Sequence, residues 1–227
     1  LSVLRVCGGL RQLDASGLGA LRSTSGVEHC RHLEELNLHD CEELVTLDGV
    51  ESLSDLRRIN VRNCTQLASL GELETLGALA WIDAARVALE DLGWMPCQVQ
   101  GLVLTDWSGL VDAQRLASAR TLTSLNLDSC HAISEFAFLG ELRALHHLSL
   151  RETSLGDLEV LAHCRELDTL DLAWCEAIDD WSALPELTSL TELGLAGLRL
   201  DAAMLLELPN LQVVDLRNAK VKGLKAL

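Results

Sequence analysis

The chain has 227 residues, 48% of them hydrophobic and only 3% aromatic, with no tyrosine and a formal net charge of −16. That is enough apolar mass to bury a core, too much for a disordered chain, and a core that must be built from leucine rather than rings. The acidic balance disfavours nucleic acid and anionic membrane surfaces as partners, and no apolar run approaches the ~18 residues of a membrane span.

In chain order, residues 1–9 hold Leu1, Leu4 and Val6, half of a motif that then recurs in full. Segments of the form L-x-x-L-x-L start at Leu10, Leu33, Leu56, Leu79, Val99, Leu122, Leu145, Leu167, Leu190 and Leu211, spaced by 20 to 23 residues. Ten registers at one period predict a repeat architecture, in which each unit buries its apolar face only against its neighbours. The clearest copies run Leu33 to Cys41 and Leu167 to Cys175, both L-x-x-L-x-L-x-x-C.

Within a unit, alternation predicts a short strand with its first, fourth and sixth positions inward and its third, fifth and seventh outward. The return segment places apolar residues three apart, as in Leu47, Val50 and Leu53 or Phe136, Leu139 and Leu142, which predicts a 3-10 or short helical arm. Units starting at Leu79, Leu145 and Leu190 lack cysteine at the ninth position (Val87, Thr153, Leu198), and their next apolar residue comes one place early. Two turn designs are therefore expected. Trp107 replaces the ninth-position cysteine and is expected to be packed, with Trp94 and Trp181 in the arm core.

These units resemble the leucine-rich repeat superfamily, over residues 10–227, in a cysteine-bearing irregular form. The resemblance implies an α/β repeat solenoid, a horseshoe or arc with a curved parallel sheet on its concave side and short 3-10, helical or irregular arms on its convex side. It is expected as a single domain over 1–227. A first residue that is not Met and an end partway through a unit read as part of a longer protein with uncapped ends. The resemblance implies a non-enzymatic protein–protein interaction scaffold within a larger assembly. The alternatives are a regulatory or substrate-recognition subunit (a ligase receptor, a phosphatase or cyclase regulator) or the recognition part of a larger enzyme.

Eight cysteines would suit a disulfide framework in a small secreted chain, but four of them (Cys41, Cys64, Cys130, Cys175) occupy one repeat position. That placement predicts small, buried, reduced side chains and a reducing, cytoplasmic setting. No C-x-x-C or H-E-x-x-H occurs, so neither a metal nor another cofactor is expected. Phosphate-binding and nucleophile-elbow glycine motifs are absent too, so no catalytic residues are expected.

Seven of the ten fifth-position residues are Asp or Asn, which predicts a polar ladder between rungs or a polar binding strip. On adjacent outward columns, Arg58, Arg62, Trp81 and Arg86 form a cationic and aromatic cluster, either free for a partner or paired with Asp83. His147, Arg151 and Trp174 form a second. Arg and Trp dominate binding hot spots, so these seven residues are the expected contacts for a protein with an acidic surface. No site for a small molecule is expected.

Overall fold

The computed structural model describes residues 1–223, in two compact units, Leu1–Leu110 and a second beginning at Val111. The chain's last lysine, Lys225, lies outside the described residues.

The first unit carries five three-residue strands, β1 (Gln12–Asp14), β2 (Glu35–Asn37), β3 (Arg58–Asn60), β4 (Trp81–Asp83) and β5 (Gly101–Val103). Each pairs in parallel with the next, and the register joins Leu13, Leu36, Ile59, Ile82 and Leu102 into one inward column. The second unit repeats the plan with β6 (Ser124–Asn126), β7 (His147–Ser149), β8 (Thr169–Asp171) and β9 (Glu192–Gly194). A small separate sheet pairs β10 (Arg199–Asp201) with β12 (Lys220–Lys222), while β11 (Val213–Asp215) returns to the side of β9.

Every strand of the two main ladders falls on the third to fifth positions of a repeat. First, fourth and sixth positions are buried, as in Leu33, Leu36 and Leu38 or Leu145, Leu148 and Leu150. Burial loosens at the first and last rungs, where Leu10 and Leu13 are half-buried and Val213 and Val214 exposed. The return arms are 3-10 turns, among them Val27–His29 and Val50–Ser52 in the first unit and Ala137–Glu141 and Ala202–Glu207 in the second. Apolar residues three apart suit this helix, whose side chains eclipse at that interval. Residues 1–9 are not half a strand motif: Ser2–Val6 is another 3-10 arm, packed against Val27–His29.

The eighth position has one backbone conformation in all ten repeats. Gly17, Asp40, Asn63, Arg86 and Asp106 in the first unit, and Ser129, Glu152, Trp174, Gly197 and Asn218 in the second, all have φ between 56° and 79°. This left-handed residue ends the strand and turns the chain toward the arm. Gly, Asn and Asp adopt it readily; Arg86, Glu152 and above all Trp174 do so against their steric preference.

Where the ninth position is Cys41, Cys64, Trp107 or Cys175, it feeds a donor into the core, while Val87 and Leu198 of the shorter units have none to give. Cys41 Sγ donates to the Ala15 carbonyl at 3.2 Å, Cys64 to Leu38 at 3.1 Å and Cys175 to Leu150 at 2.9 Å. Each acceptor is the sixth residue of the preceding repeat. Trp107, fully buried, sends its indole N–H to the equivalent carbonyl, that of Ala84, at 2.5 Å. Cysteine and tryptophan are thus alternative second donors to one carbonyl, which at Leu38, Ala84 and Leu150 also accepts the N–H three residues ahead.

No disulfide joins the cysteines, and Cys30, Cys41, Cys64, Cys130, Cys164 and Cys175 are buried. Burial pushes the Cys64 thiol up to about 12 and that of Cys164 up to about 11. Brief treatment of the native chain with iodoacetamide is therefore expected to label Cys97 and, more slowly, Cys7, the two that are not buried. Mass spectrometry showing modification of Cys64 or Cys175 before unfolding would contradict this placement.

Candidate functional site

The outward face of each sheet begins with the fifth-position column. The expected ladder or binding strip is not its main role. Asp14, Asn37, Asn60 and Asp83 each accept the backbone N–H two residues ahead, from Ser16, His39, Arg62 and Ala85. Asn126, Asp171 and Asp215 do the same for Asp128, Ala173 and Arg217. These are Asx turns that close the strand before the left-handed residue.

Ser149 is a fifth-position residue too short for this task. There Asp128 of the preceding rung accepts the Arg151 N–H at 2.9 Å and the Ser149 hydroxyl at 2.5 Å. Burial raises the Asp128 carboxyl above its ordinary range, against the lowering effect of those bonds. A raised folded-state value makes the ionised carboxylate a cost, so this residue contributes less stability as pH rises past ~4. Asp128→Asn keeps an acceptor and removes the charge. It is expected to raise the thermal midpoint at pH 7, with the gain shrinking toward pH 4; a gain independent of pH would refute this.

Arg58 and Trp81 are register partners at the third positions of β3 and β4. The Trp81 indole is 37% exposed and lies over Gly101 of the next rung, where a Cβ would come within 1.9 Å of the ring. Arg58 and Trp81 share a shallow groove of about 380 Å³ with Gln12, Glu35, Asn60 and Asp83. The sequence reading passed over Glu35 and Gln12, although the third-position column sets them in line with Arg58. Neither Arg58 nor Arg62 forms an ion pair among the described residues.

Arg62 and Arg86 lie outside this groove. Arg86 pairs with Asp106 at 2.7 Å, not with Asp83, because its left-handed backbone turns the side chain along the rim toward the next eighth position.

The second expected cluster is divided. His147 Nδ1 lies 3.1 Å from Asp168, and Arg151 donates to Asp171 at 3.0 Å. Trp174 turns onto the rim, its ring over Gly197, and lines two hollows that neither His147 nor Arg151 reaches. Trp181, expected in the arm core, is half-buried and lines the larger of these hollows; Trp94 is buried as expected.

Among the described residues, no group of three or more His, Cys, Asp or Glu is placed to hold a metal ion. Nor is any helix there long and apolar enough to cross a membrane.

No protein-family profile matches the chain, and no curated protein does. Solved structures do. A leucine-rich repeat protein of Leptospira interrogans superposes with a TM-score of 0.72 at 17% identity, over 97% of this chain and 58% of that one. An internalin, InlF, from Listeria monocytogenes gives 0.62 at 17% identity, over 97% and 85%. TLR13, solved in complex with a single-stranded RNA, gives 0.68 at 18% identity, over 95% of this chain but 37% of its own. At such identities the likeness is one of fold. Short parallel strands and 3-10 arms at a spacing of 20 to 23 residues give this chain the fold of a leucine-rich repeat solenoid.

Proposed function

We propose that the chain is a non-enzymatic scaffold that binds another protein within a larger assembly. The contact is the strand face of the first unit, centred on Arg58 and Trp81, with Arg62 further along the outward side of the same repeat as Arg58. One observation carries this reading: Arg58, without an ion pair among the described residues, is the register partner of a half-exposed indole and shares its groove, at positions the core does not use. Arg58 and Arg62 can engage carboxylates bidentately, and Trp81 offers apolar area already fixed over Gly101. A net charge of −16 favours a protein partner over the RNA of the TLR13 complex. The buried, hydrogen-bonded thiols suit a reducing compartment, and the cytoplasm is the setting we assign.

Arg86, His147 and Arg151 are already matched by carboxylates and would have to exchange partners, so they contribute less. The test begins with a pull-down and mass spectrometry to obtain the partner. Calorimetric titration of Arg58→Ala/Trp81→Ala should then show affinity about 30-fold weaker, or ~2 kcal/mol, with an unchanged circular dichroism spectrum. Full affinity in the folded double variant would eliminate this surface.

A further inference from the structure

The small sheet of the second unit holds an unbalanced pair. Arg199 of β10 and Lys220 of β12 are direct cross-strand partners, and both side chains are exposed. Like charges set opposite one another destabilise a sheet. Across the outward faces, Arg86, Arg151 and Arg217 each have a carboxylate in reach. Arg199 and Lys220 have none among the described residues. Lys222 stands on the same side of β12, opposite Asp201, whose Oδ1 is occupied in capping the Ala203 N–H.

These cations line a hollow of about 1120 Å³ together with Trp174 and Trp181. Trp174 is 39% exposed and holds φ at 63°, an uncommon conformation for so bulky a residue. In the other nine repeats a smaller or more flexible residue makes this turn. Gly197, its counterpart on the next rung, has no Cβ, and one there would come within 2.3 Å of the indole. Strained tryptophan and bare glycine together lay an aromatic platform beside the paired cations.

We infer that this hollow is a second binding site, for a partner-protein segment carrying a carboxylate next to an aromatic ring. The ring stacks on Trp174 and the carboxylate sits between Arg199 and Lys220, relieving their repulsion. The occupant carries few negative charges, because Glu176, Asp179 and Asp201 also line the hollow and repel a polyanion. The volume exceeds the ~300–1,000 Å³ usual for small-ligand clefts, which favours an extended peptide segment. The site lies wholly in the second unit and does not rest on the Arg58 and Trp81 reading.

Blocked tetrapeptides with a central Phe-Glu, Phe-Gln or Ala-Glu test it, by NMR of the indole N–H groups. The Phe-Glu peptide should move the Trp174 and Trp181 signals with a Kd on the order of 1 mM. The Trp94 and Trp107 signals, whose N–H groups are hydrogen-bonded internally, should stay still. Phe-Gln and Ala-Glu should bind about tenfold more weakly, as should Phe-Glu to Arg199→Gln/Lys220→Gln. That variant should unfold at the same temperature as the parent or higher, since it loses only a repulsive pair. Absence of any shift, equal shifts with Phe-Gln, or undiminished binding by the double variant would overturn the site. If that variant fails to fold, the Phe-Glu and Phe-Gln comparison on the unaltered chain decides alone.

Discussion

Trp107→Ala is expected to cost the chain about 4 kcal/mol of stability, within the ~3–5 kcal/mol seen when a large buried ring is truncated. Trp107 has no exposed surface and lies against Trp94, with ring centroids 6.1 Å apart. Alanine would leave a cavity too large for the neighbouring leucines to fill, because the ladder fixes their backbone. It would also leave the Ala84 carbonyl, now bonded to the indole at 2.5 Å, without that donor. Trp107→Phe separates the two losses. It keeps most of the volume and drops the N–H, so it should cost only about 1–2 kcal/mol. Urea unfolding followed by circular dichroism measures both. Equal costs for Phe and Ala would show that the hydrogen bond, not the ring volume, carries the stability at this position.

Asp171→Ala is expected to cost about 2–3 kcal/mol, from two charge-assisted hydrogen bonds lost together. Oδ1 holds the Ala173 N–H at 2.9 Å, which closes the turn after β8, and Oδ2 holds Arg151 at 3.0 Å. The carboxylate also fills the space that a side chain at residue 194 would take, since a Cβ on Gly194 would come within 2.3 Å of Oδ1. Asp171→Asn retains the turn acceptor and gives up only the charge on Arg151, so it should cost about half as much. Asp14→Ala is the surface control. It loses the same kind of turn bond where water can replace it, and its urea midpoint should barely differ from the parent's. If the Asp171 and Asp14 substitutions prove equally mild, solvent rather than the carboxylate satisfies these turns.

The strands of the main ladders were legible in the sequence because alternating burial leaves a side-chain signature, and β1 to β9 and β11 all fall within the L-x-x-L-x-L segments, whereas β10 and β12 lie outside them. The 3-10 arms were legible for the same reason, at a spacing of three. What was not legible is backbone chemistry. The Asp and Asn column reads as a ladder or a binding strip because a sequence pattern does not show that the acceptor's target is a main-chain N–H two residues ahead. Arg86 reads as a neighbour of Asp83 only if the eighth residue continues the strand. The left-handed turn breaks that alternation and sends the side chain to Asp106. The candidate site was accordingly half visible: Arg58 and Trp81 share a groove, whereas Trp174 lies apart from His147 and Arg151. Arg199 and Lys220 escaped notice because they are distant in sequence and meet only across the small sheet.

The ninth-position donor also bears on how such a chain can change length. Where the ninth residue is Cys41, Cys64 or Cys175, its acceptor is the same atom of the preceding repeat, so repeats of this kind are interchangeable at that joint. Excising residues 33–55 would bring the Cys64 thiol to the Ala15 carbonyl, which Cys41 now occupies, and would join like to like along the ladder. A gene encoding this protein can therefore be shortened or extended by whole cysteine-bearing copies, through unequal recombination, without inventing a new contact at the seam. Variation in the number of copies, rather than substitution within them, is the form of diversity that this architecture admits most cheaply.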